Sequence, residues 1–208
     1  MLVRGGLDRL TICDGDDVKA GNLVRHTLDL RHISVNKSSA LSSHLNQISP
    51  YAKIKHQNGR FPPKTGFSLS NFDLIIDCTA SQRMLAAFSA FESPDKDVDF
   101  VSVSMSFGAK RLYFFSSRGR RFPFEQYRKN ITPWLEKDFD ENKNEIAPRE
   151  GIGCWHPVFP ARSDDVWLLA ATGFKLMTQT IRNGLMNDKF KVFEQSETFD
   201  GIKEVALD

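Results

Sequence analysis

The stretch LTICDGDDVKAGNLVRHTL, residues 10–28, decides the fold class, because a short apolar run passes directly into a loop rich in Asp and Gly. The run LTIC at 10–13 predicts a buried strand, and Asp14 follows at its end. Ligands of open α/β sheets bind beyond the carboxyl ends of the strands, where a carboxylate can accept hydrogen bonds from ribose hydroxyls. Arg25 and Lys37 follow, and both residue types are common phosphate partners. A strand-end Asp is equally common in turns, and a single surface Lys is commonly solvated.

The segments that follow alternate between helix and strand patterns, which predicts crossover units and a parallel sheet. Helical periodicity covers 35–48 and 82–91, and strand patterns cover AKIKH at 52–56 and DLIIDC at 73–78. DLIIDC is almost continuously apolar, which is typical of a parallel strand covered on both faces. Asp77 lies near its end.

The second half of the chain predicts an antiparallel extension. FVSVSMSF at 100–107 alternates like a half-buried strand, and GAK turns it into RLYFFSS at 111–117. Segment 108–121 holds five basic residues and no acid, which fits a solvated turn or a docking surface for an acidic partner. A helix over 124–139 should break at Pro133. A long helix capped by Ser163 and a last strand at 190–195 follow. The predicted buried stripe of the long helix is Val166, Ala170, Phe174, Met177, Ile181 and Leu185.

Composition excludes several classes of protein. The chain has 208 residues and a formal net charge of +2, which argues against nucleic acid or an acidic membrane as a partner. The longest apolar run, VWLLAATGF at 166–174, is too short to span a bilayer. Three cysteines without CxxC spacing argue against a disulfide framework and a four-cysteine zinc site, so we expect a cytoplasmic protein. Of these, Cys13 and Cys78 are predicted to lie in the core.

The order of these motifs closely resembles that of the ThiF-type adenylyltransferases, which include the ubiquitin-activating enzymes and the sulfur-carrier activators of thiamine and molybdopterin synthesis. RGGLDRLTICDGDDVKAGNLVRHTL, then Lys37, LNQISPYAKI and FDLIIDCTAS carry the resemblance, which is clear over 2–88 and weaker to about 180. It implies a Rossmann-like α/β fold, mainly parallel with an antiparallel extension. One domain, 1–208, would divide into a nucleotide-binding half, 1–95, and a partner-binding half, 96–208, which holds the crossover loop.

The resemblance implies a reaction and a set of residues that bind ATP and Mg²⁺. The C-terminal glycine of a ubiquitin-like or sulfur-carrier protein would be adenylated, with release of pyrophosphate, by a homodimer. The nucleotide would be held by Asp14, Asp16, Asn22, Arg25 and Lys37, with Arg25 also catalytic.

The region GIGCWHPVFPARSDD resembles the part of bacterial ubiquitin-activating-like proteins where a cysteine lies on a crossover loop. Cys154 is therefore the candidate acceptor of the acyl group as a thioester, because a thiolate in an exposed, electropositive loop is a nucleophile. A buried structural thiol packed beside Trp155 is the alternative.

Two departures from the family pattern leave other functions open. The family has a Gly-rich phosphate loop between its first strand and first helix, ahead of the strand at 10–13, and LVRGG matches only the tail of that helix. We therefore expect a fold that is incomplete at the N-terminus and an ATP site that lacks this loop. The family's usual magnesium ligand is an Asp at the position of Ala80, which leaves Asp77 as the candidate ligand or leaves the metal to be held largely by the phosphates. Both departures suit a non-catalytic scaffold subunit. A dinucleotide-dependent oxidoreductase is a third reading, but it leaves Asn22, Arg25 and Lys37 without a role.

Overall fold

The computed structural model describes residues 1–23, 26–61, 67–143, 161–184, 188–196 and 201–207. The chain forms two compact units, Met1–Phe67 and Ser68–Asp208, which we call the N-terminal and C-terminal units. The division into halves at residue 95 stays a prediction.

The N-terminal unit is built on two parallel strands and one α-helix. Strand β1 (Arg9–Asp14) pairs in parallel with β2 (Lys53–Asn58), so that Asp14 lies opposite Asn58. Helix α1 (Lys37–Asn46) packs on both strands. Buried Val18, Leu28 and Ala40 form a small apolar cluster beside it.

Hydrogen bonds from polar side chains help to attach α1 to β2. The side chain of Asn46 pairs with the backbone of Ile54 in both directions, at 2.9 Å each, and Ser42 Oγ donates to Ile54 O at 3.1 Å. These bonds satisfy the N–H and C=O groups of Ile54, which no strand of the described sheet satisfies. They also fix the position of α1 along β2.

The C-terminal unit holds a five-stranded sheet in the order β3-β4-β5-β6-β7. The β3–β4 pair is parallel and the other three pairs are antiparallel, which confirms the α/β class and the antiparallel extension. The strands are β3 (Leu74–Asp77), β4 (Val98–Met105), β5 (Arg111–Gly119), β6 (Lys189–Gln195) and β7 (Ile202–Val205). The helices are α2 (Gln82–Ser89), α3 (Phe124–Asn142) and α4 (Ser163–Arg182). The sequence did not predict β7, because IKEV is too short to show a period.

Strands β4 and β5 are buried more completely than their sequences predict. Every residue of β5 from Arg111 to Ser117 is buried. In β4 the alternating pattern wrongly predicted one solvated face, since Ser102 and Ser104 are buried as well. Ser102 Oγ satisfies its hydrogen bond inside the protein by donating to Asp77 Oδ2 at 2.9 Å, so a polar residue does not mark a wet face here.

Arg111 also lies inside the protein, where the sequence predicted a solvated turn or a docking surface. Its guanidinium group donates to three carboxylates at once, two on α3 and one on β6. The distances are 2.6 Å to Asp138 and 2.7 Å to Glu141, and Nε donates to Glu194. Tyr113 donates to Asp138 as well. We call Arg111, Tyr113, Asp138, Glu141 and Glu194 the Arg111 cluster.

Two helices differ from prediction in ways that local chemistry explains. Helix α3 continues through Pro133 instead of breaking, and Thr132 Oγ1 donates to Arg128 O at 2.8 Å one turn earlier. A proline removes only one donor, and packing on both sides of it holds the helix together. Ile131 and Trp134, which lie before and after Pro133, are both buried.

In α4 the predicted cap and buried stripe were wrong by about one residue. The N-cap is Arg162, and Ser163 is the first helical residue. The buried residues of α4 are Leu169, Gly173 and Met177, so that among the described residues of the predicted set only Met177 is buried. Leu185, the last of the predicted set, lies outside the described residues. A Cβ at Gly173 would lie 3.2 Å from Val103 Cγ1, so the missing side chain lets the helix approach the sheet closely.

The two described cysteines are exposed, which corrects the prediction that both lie in the core. Cys13 lies on the exposed side of β1, whose residues alternate between exposed and half-buried. Cys78 lies just beyond the end of β3. Partial burial, and then the charge of Asp14, raise the pKa of the Cys13 thiol. The described helices include none that is both long and apolar enough to cross a membrane.

Candidate functional site

The candidate site lies where β1 ends and α1 begins. Asp14 is the last residue of β1, and its Oδ1 accepts a hydrogen bond from the amide of Asp16 at 2.8 Å. The backbone oxygen of Asp14 accepts from Asn36 Nδ2 at 3.0 Å. This Asx-type turn fixes the orientation of the Asp14 carboxylate, since one of its oxygens is held by the loop that follows.

The start of α1 is tied to the same loop. Asn36 caps the helix by accepting from the amides of Ser38 and Ser39, at 3.1 and 3.2 Å. The Lys37 amide donates to Asp16 O at 2.8 Å, and Lys37 Nζ lies 3.4 Å from Asp16 Oδ2. The structure therefore brings Asp14, Asp16 and Lys37 together beside a helix N-terminus, where the helix dipole and a cation both favour an anion.

The side chain of Asn22 is hydrogen-bonded to the backbone of this loop. Asn22 is buried, and its Oδ1 accepts from the Lys19 amide at 3.2 Å, which closes a short 3₁₀ turn over Ala20–Asn22. Its role at the phosphates stays a prediction. Arg25 and Cys154 lie outside the described residues, so their roles stay predictions as well.

His26 is a residue of this site that the sequence analysis did not consider. Burial lowers the pKa of His26, and the positive charge of Lys37 lowers it further, while Asp14 opposes both. Its Nδ1 accepts from the Leu28 amide at 3.2 Å, which requires that nitrogen to be unprotonated. His26 therefore stands as a neutral imidazole with its proton on Nε2. The sequence feature that could have identified His26 is its position directly after Arg25, a predicted site residue.

The end of β2 completes the described surroundings of Asp14. Ser38 Oγ donates to Asn58 Oδ1 at 3.0 Å, which joins the first turn of α1 to the last residue of β2. The Gly59 amide lies 3.4 Å from Asp14 O. A Cβ on Gly15 would meet Arg60 Cγ at 3.0 Å and Arg60 N at 3.1 Å, so Gly15 and Arg60 lie against each other. No sequence pattern indicates this contact, because it joins two loops that are distant in sequence.

Asp77 belongs to the C-terminal unit and is buried at the end of β3. Its Oδ1 accepts from the amide of Thr79 at 3.1 Å and from Thr79 Oγ1 at 2.7 Å, and its Oδ2 accepts from Ser102. Burial raises the pKa of Asp77 against the opposing effect of these bonds. These three bonds and the burial of Asp77 leave little of its carboxylate accessible to a metal ion, and its role as a ligand stays a prediction. The part of the chain that the structure describes contains no group of three or more His, Cys, Asp or Glu that could hold a metal ion.

Comparison with known proteins assigns the N-terminal part of the chain to a family. Residues 1–91 match the ThiF family. The chain is 39% identical over 185 residues to the ATP-dependent ubiquitin transferase-like protein Cap2 of Enterobacter hormaechei, covering 86% of this chain and 30% of Cap2. It is 30% identical over 79 residues to the adenylyltransferase and sulfurtransferase UBA4 of Yarrowia lipolytica, covering 38% of this chain and 20% of UBA4. The chain thus spans less than a third of the length of either relative.

The fold agrees with this assignment. The crystal structure of E. coli MccB with AMPCPP and MccA superposes on this chain with a TM-score of 0.58 and 10% sequence identity. The match covers 98% of this chain and 57% of MccB, and at this identity it shows the fold alone. Residues 1–91, which contain Asp14, Asp16, Asn22 and Lys37, are thus the part of the chain that carries the ThiF-family match.

Proposed function

We propose that this chain takes part in the ATP-dependent adenylation of the C-terminus of a ubiquitin-like or sulfur-carrier protein. The observation that carries the proposal is the oriented carboxylate of Asp14 beside Lys37 and the N-terminus of α1. A ribose needs a fixed acceptor and a polyphosphate needs cations, and Asp14 and Lys37 supply these groups here. The first amides of α1 donate to Asn36 and Asp16, so the helix N-terminus contributes its dipole rather than free N–H groups. The names of the relatives agree with this chemistry, since one is an ATP-dependent ubiquitin transferase-like protein and the other an adenylyltransferase.

In this reaction a carboxylate oxygen of the partner's C-terminus attacks the α-phosphorus of ATP. The bond between that phosphorus and the oxygen bridging to the β-phosphate breaks, and pyrophosphate leaves with the electron pair. Asp14 would hold the ribose, while Lys37 and Arg25 would offset the negative charge on the phosphates as the bond breaks. Their part is positioning and electrostatic stabilisation, which dominate phosphoryl chemistry in proteins.

The described residues do not supply a magnesium cage for this reaction. Asp77 was predicted as the ligand, but both of its oxygens accept hydrogen bonds from Thr79 and Ser102. Magnesium commonly keeps several waters and binds substrate phosphates together with only one or two carboxylates. We therefore assign no step of the reaction to a metal held by Asp77.

Transfer of the acyl group to Cys154 is a further step of the proposal. The Cys154 thiolate would attack the carbonyl carbon of the acyl adenylate, form a thioester and release AMP. Cys154→Ser should leave adenylation intact and abolish the reducible adduct with the partner protein, as judged on gels with and without thiol. A reducible adduct that survives in Cys154→Ser would assign the thioester to another cysteine.

A non-catalytic scaffold subunit is the second candidate, and one observation favours it. Ala80 stands where the family has its usual Asp ligand, and nearby Asp77 is buried with hydrogen bonds to both of its carboxylate oxygens. A scaffold would keep the fold and lose the exchange reaction. Homodimerisation and a cytoplasmic location stay predictions under both candidates.

Exchange of labelled pyrophosphate into ATP, in the presence of the partner protein, tests the proposal. Asp14→Asn should reduce the rate about 10- to 100-fold, since a hydrogen bond to a charged group contributes about 1.5–3 kcal/mol. Arg25→Ala should reduce it by a similar factor. Asp29→Asn is the matched control, because Asp29 is an exposed carboxylate of the same unit that pairs with Arg31. Equal rates in the Asp14 and Asp29 variants would contradict the assignment of Asp14. Absence of exchange in the unaltered protein would favour the scaffold.

A further inference from the structure

Arg60 occupies a position that the proposed reaction does not yet use. It follows β2 by two residues and lies against Gly15, which directly follows Asp14. A Cβ built on Gly15 would approach Arg60 Cγ to 3.0 Å and the carbonyl carbon of Gly59 to 3.1 Å. The aliphatic stem of Arg60 therefore passes over the turn that carries the candidate ribose ligand, and it passes this closely because Gly15 has no side chain.

The charge of Arg60 is not taken up by a neighbouring acid. In the described part of the N-terminal unit, the exposed acids Asp29 and Asp16 pair with Arg31 and Lys37, and no ion pair involves Arg60. The side chain is exposed. Its stem lies against the Gly15 turn, and no described acid pairs with its planar guanidinium group.

The residue after Arg60 is held in place by an aromatic contact. Phe61 packs edge-to-face on Phe67, with ring centroids 4.9 Å apart, so both ends of the segment between them are joined. Edge-to-face pairs of this kind restrict both rings. This contact limits where the backbone of Phe61, directly after Arg60, can move.

We infer that Arg60 stacks on the adenine ring of the bound nucleotide, an inference that rests on the proposed function. The phosphates are matched by Lys37 and the start of α1, and the ribose is matched by Asp14. The base is then the part of the nucleotide without a partner, and Arg60 is the group at the neighbouring strand end. A guanidinium group is planar and weakly hydrated, so it stacks on aromatic faces where a lysine ammonium cannot.

Calorimetric titration of the full chain with ATP and with inorganic tripolyphosphate tests this contact, because tripolyphosphate has the charge of the ligand but no base. Arg60→Ala should weaken ATP binding about tenfold and leave tripolyphosphate binding unchanged, as expected from the loss of one stacking contact. Arg60→Lys should weaken ATP binding by nearly as much, since it keeps the charge and loses the plane. Lys55→Ala is the control, because it removes an exposed cation from the middle of β2 and should change neither affinity.

Two results would overturn the inference while the proposed function stands. Unchanged ATP affinity in Arg60→Ala would mean that Arg60 does not touch the nucleotide. An equal loss for ATP and tripolyphosphate, with rescue by Arg60→Lys, would make Arg60 a phosphate contact. Because the ATP site is expected to be incomplete, the titrations extend to millimolar ATP. Failure of the unaltered protein to bind ATP even there would instead overturn the proposed function in favour of the scaffold, and the base contact with it. Far-UV circular dichroism of each variant checks that the fold is kept.

Discussion

The two units of this chain differ in what holds them together. In the N-terminal unit the small apolar cluster of Val18, Leu28 and Ala40 stands beside many side chain–backbone hydrogen bonds, such as those of Ser42 and Asn46. In the C-terminal unit one strand, β5, is almost entirely buried. An aromatic group with centroid separations of 5.5–5.8 Å packs there, made of Phe100, Phe115, Phe122 and Tyr127.

The difference teaches where a fold of this kind keeps its chemistry. Side chains suited to binding a nucleotide lie at the strand ends of the N-terminal unit. Local hydrogen bonds fix the loops there, and the loops remain accessible. In the other unit the charges of the Arg111 cluster are turned inward and paired, while others such as Arg118 stay at the surface. Charge alone therefore does not mark the site, and three variants with matched controls test what holds each unit together.

The largest effect is expected from Arg111→Met in the C-terminal unit. Arg111 is 4% exposed, and removing it leaves Asp138, Glu141 and Glu194 facing one another without a cation. Breaking a buried pair in this way costs about 3–5 kcal/mol of unfolding free energy. Urea unfolding followed by the fluorescence of Trp134, which lies beside the Arg111 guanidinium, measures it.

Arg118→Met is the matched control for that experiment. Arg118 lies on the same strand, pairs with Asp99 and has a side chain that is 49% exposed, so its loss should cost about 1 kcal/mol or less. Similar losses for Arg111 and Arg118 would show that the Arg111 cluster does not stabilise this unit as a buried network does.

A smaller effect is expected from Gly15→Ala in the N-terminal unit. The new methyl group would lie 3.1 Å from backbone atoms of both Gly59 and Arg60, which cannot move aside as a flexible side chain can. Overpacking of this kind costs about 1–3 kcal/mol. Denaturation followed by far-UV circular dichroism measures the loss. Gly119→Ala provides the comparison, since its methyl group would meet only Arg121 O at 3.7 Å and should be tolerated. Equal tolerance at both positions would mean that the two loops are not in close contact.

The smallest effect is expected at Ala80, and it should have the opposite sign. Ala80 has a φ of +54°, in the left-handed region that is unfavourable for a residue with a Cβ. Ala80→Gly should therefore raise the unfolding free energy by about 0.5–1 kcal/mol, after the entropy cost of a glycine is subtracted. Ala87→Gly, in the interior of α2, should lower the unfolding free energy by about the same amount. A loss of stability in both variants would contradict the strain at Ala80.

Much of the fold was predictable because its signals are local. The strands around LTIC and DLIIDC and the helix before AKIKH show in short windows of apolar spacing, and all three were confirmed. The burial of Ser102 and Arg111 was not predictable, because it depends on partners far away in sequence.

The site shows the same limit. Asp14 and Lys37 could be chosen from the sequence, since a strand end and a family motif point to them. The contact of Arg60 with Gly15 and the proximity of His26 to Lys37 arise only when the loops fold together. The same holds for the hydrogen bonds of Asp77 with Thr79 and Ser102, of which Ser102 is distant in sequence.

Amide hydrogen exchange with and without ATP, read by mass spectrometry, tests most directly whether the N-terminal unit holds the nucleotide. The account predicts slower exchange in ATP for peptides that contain Asp14–Asp16, Asn36–Ser38 and Asn58–Arg60. It predicts no change for the peptides of β5 and β6 that hold the Arg111 cluster. Protection at Arg111 and Glu194 without protection at the end of β1 would contradict the account and would move the nucleotide to the C-terminal unit.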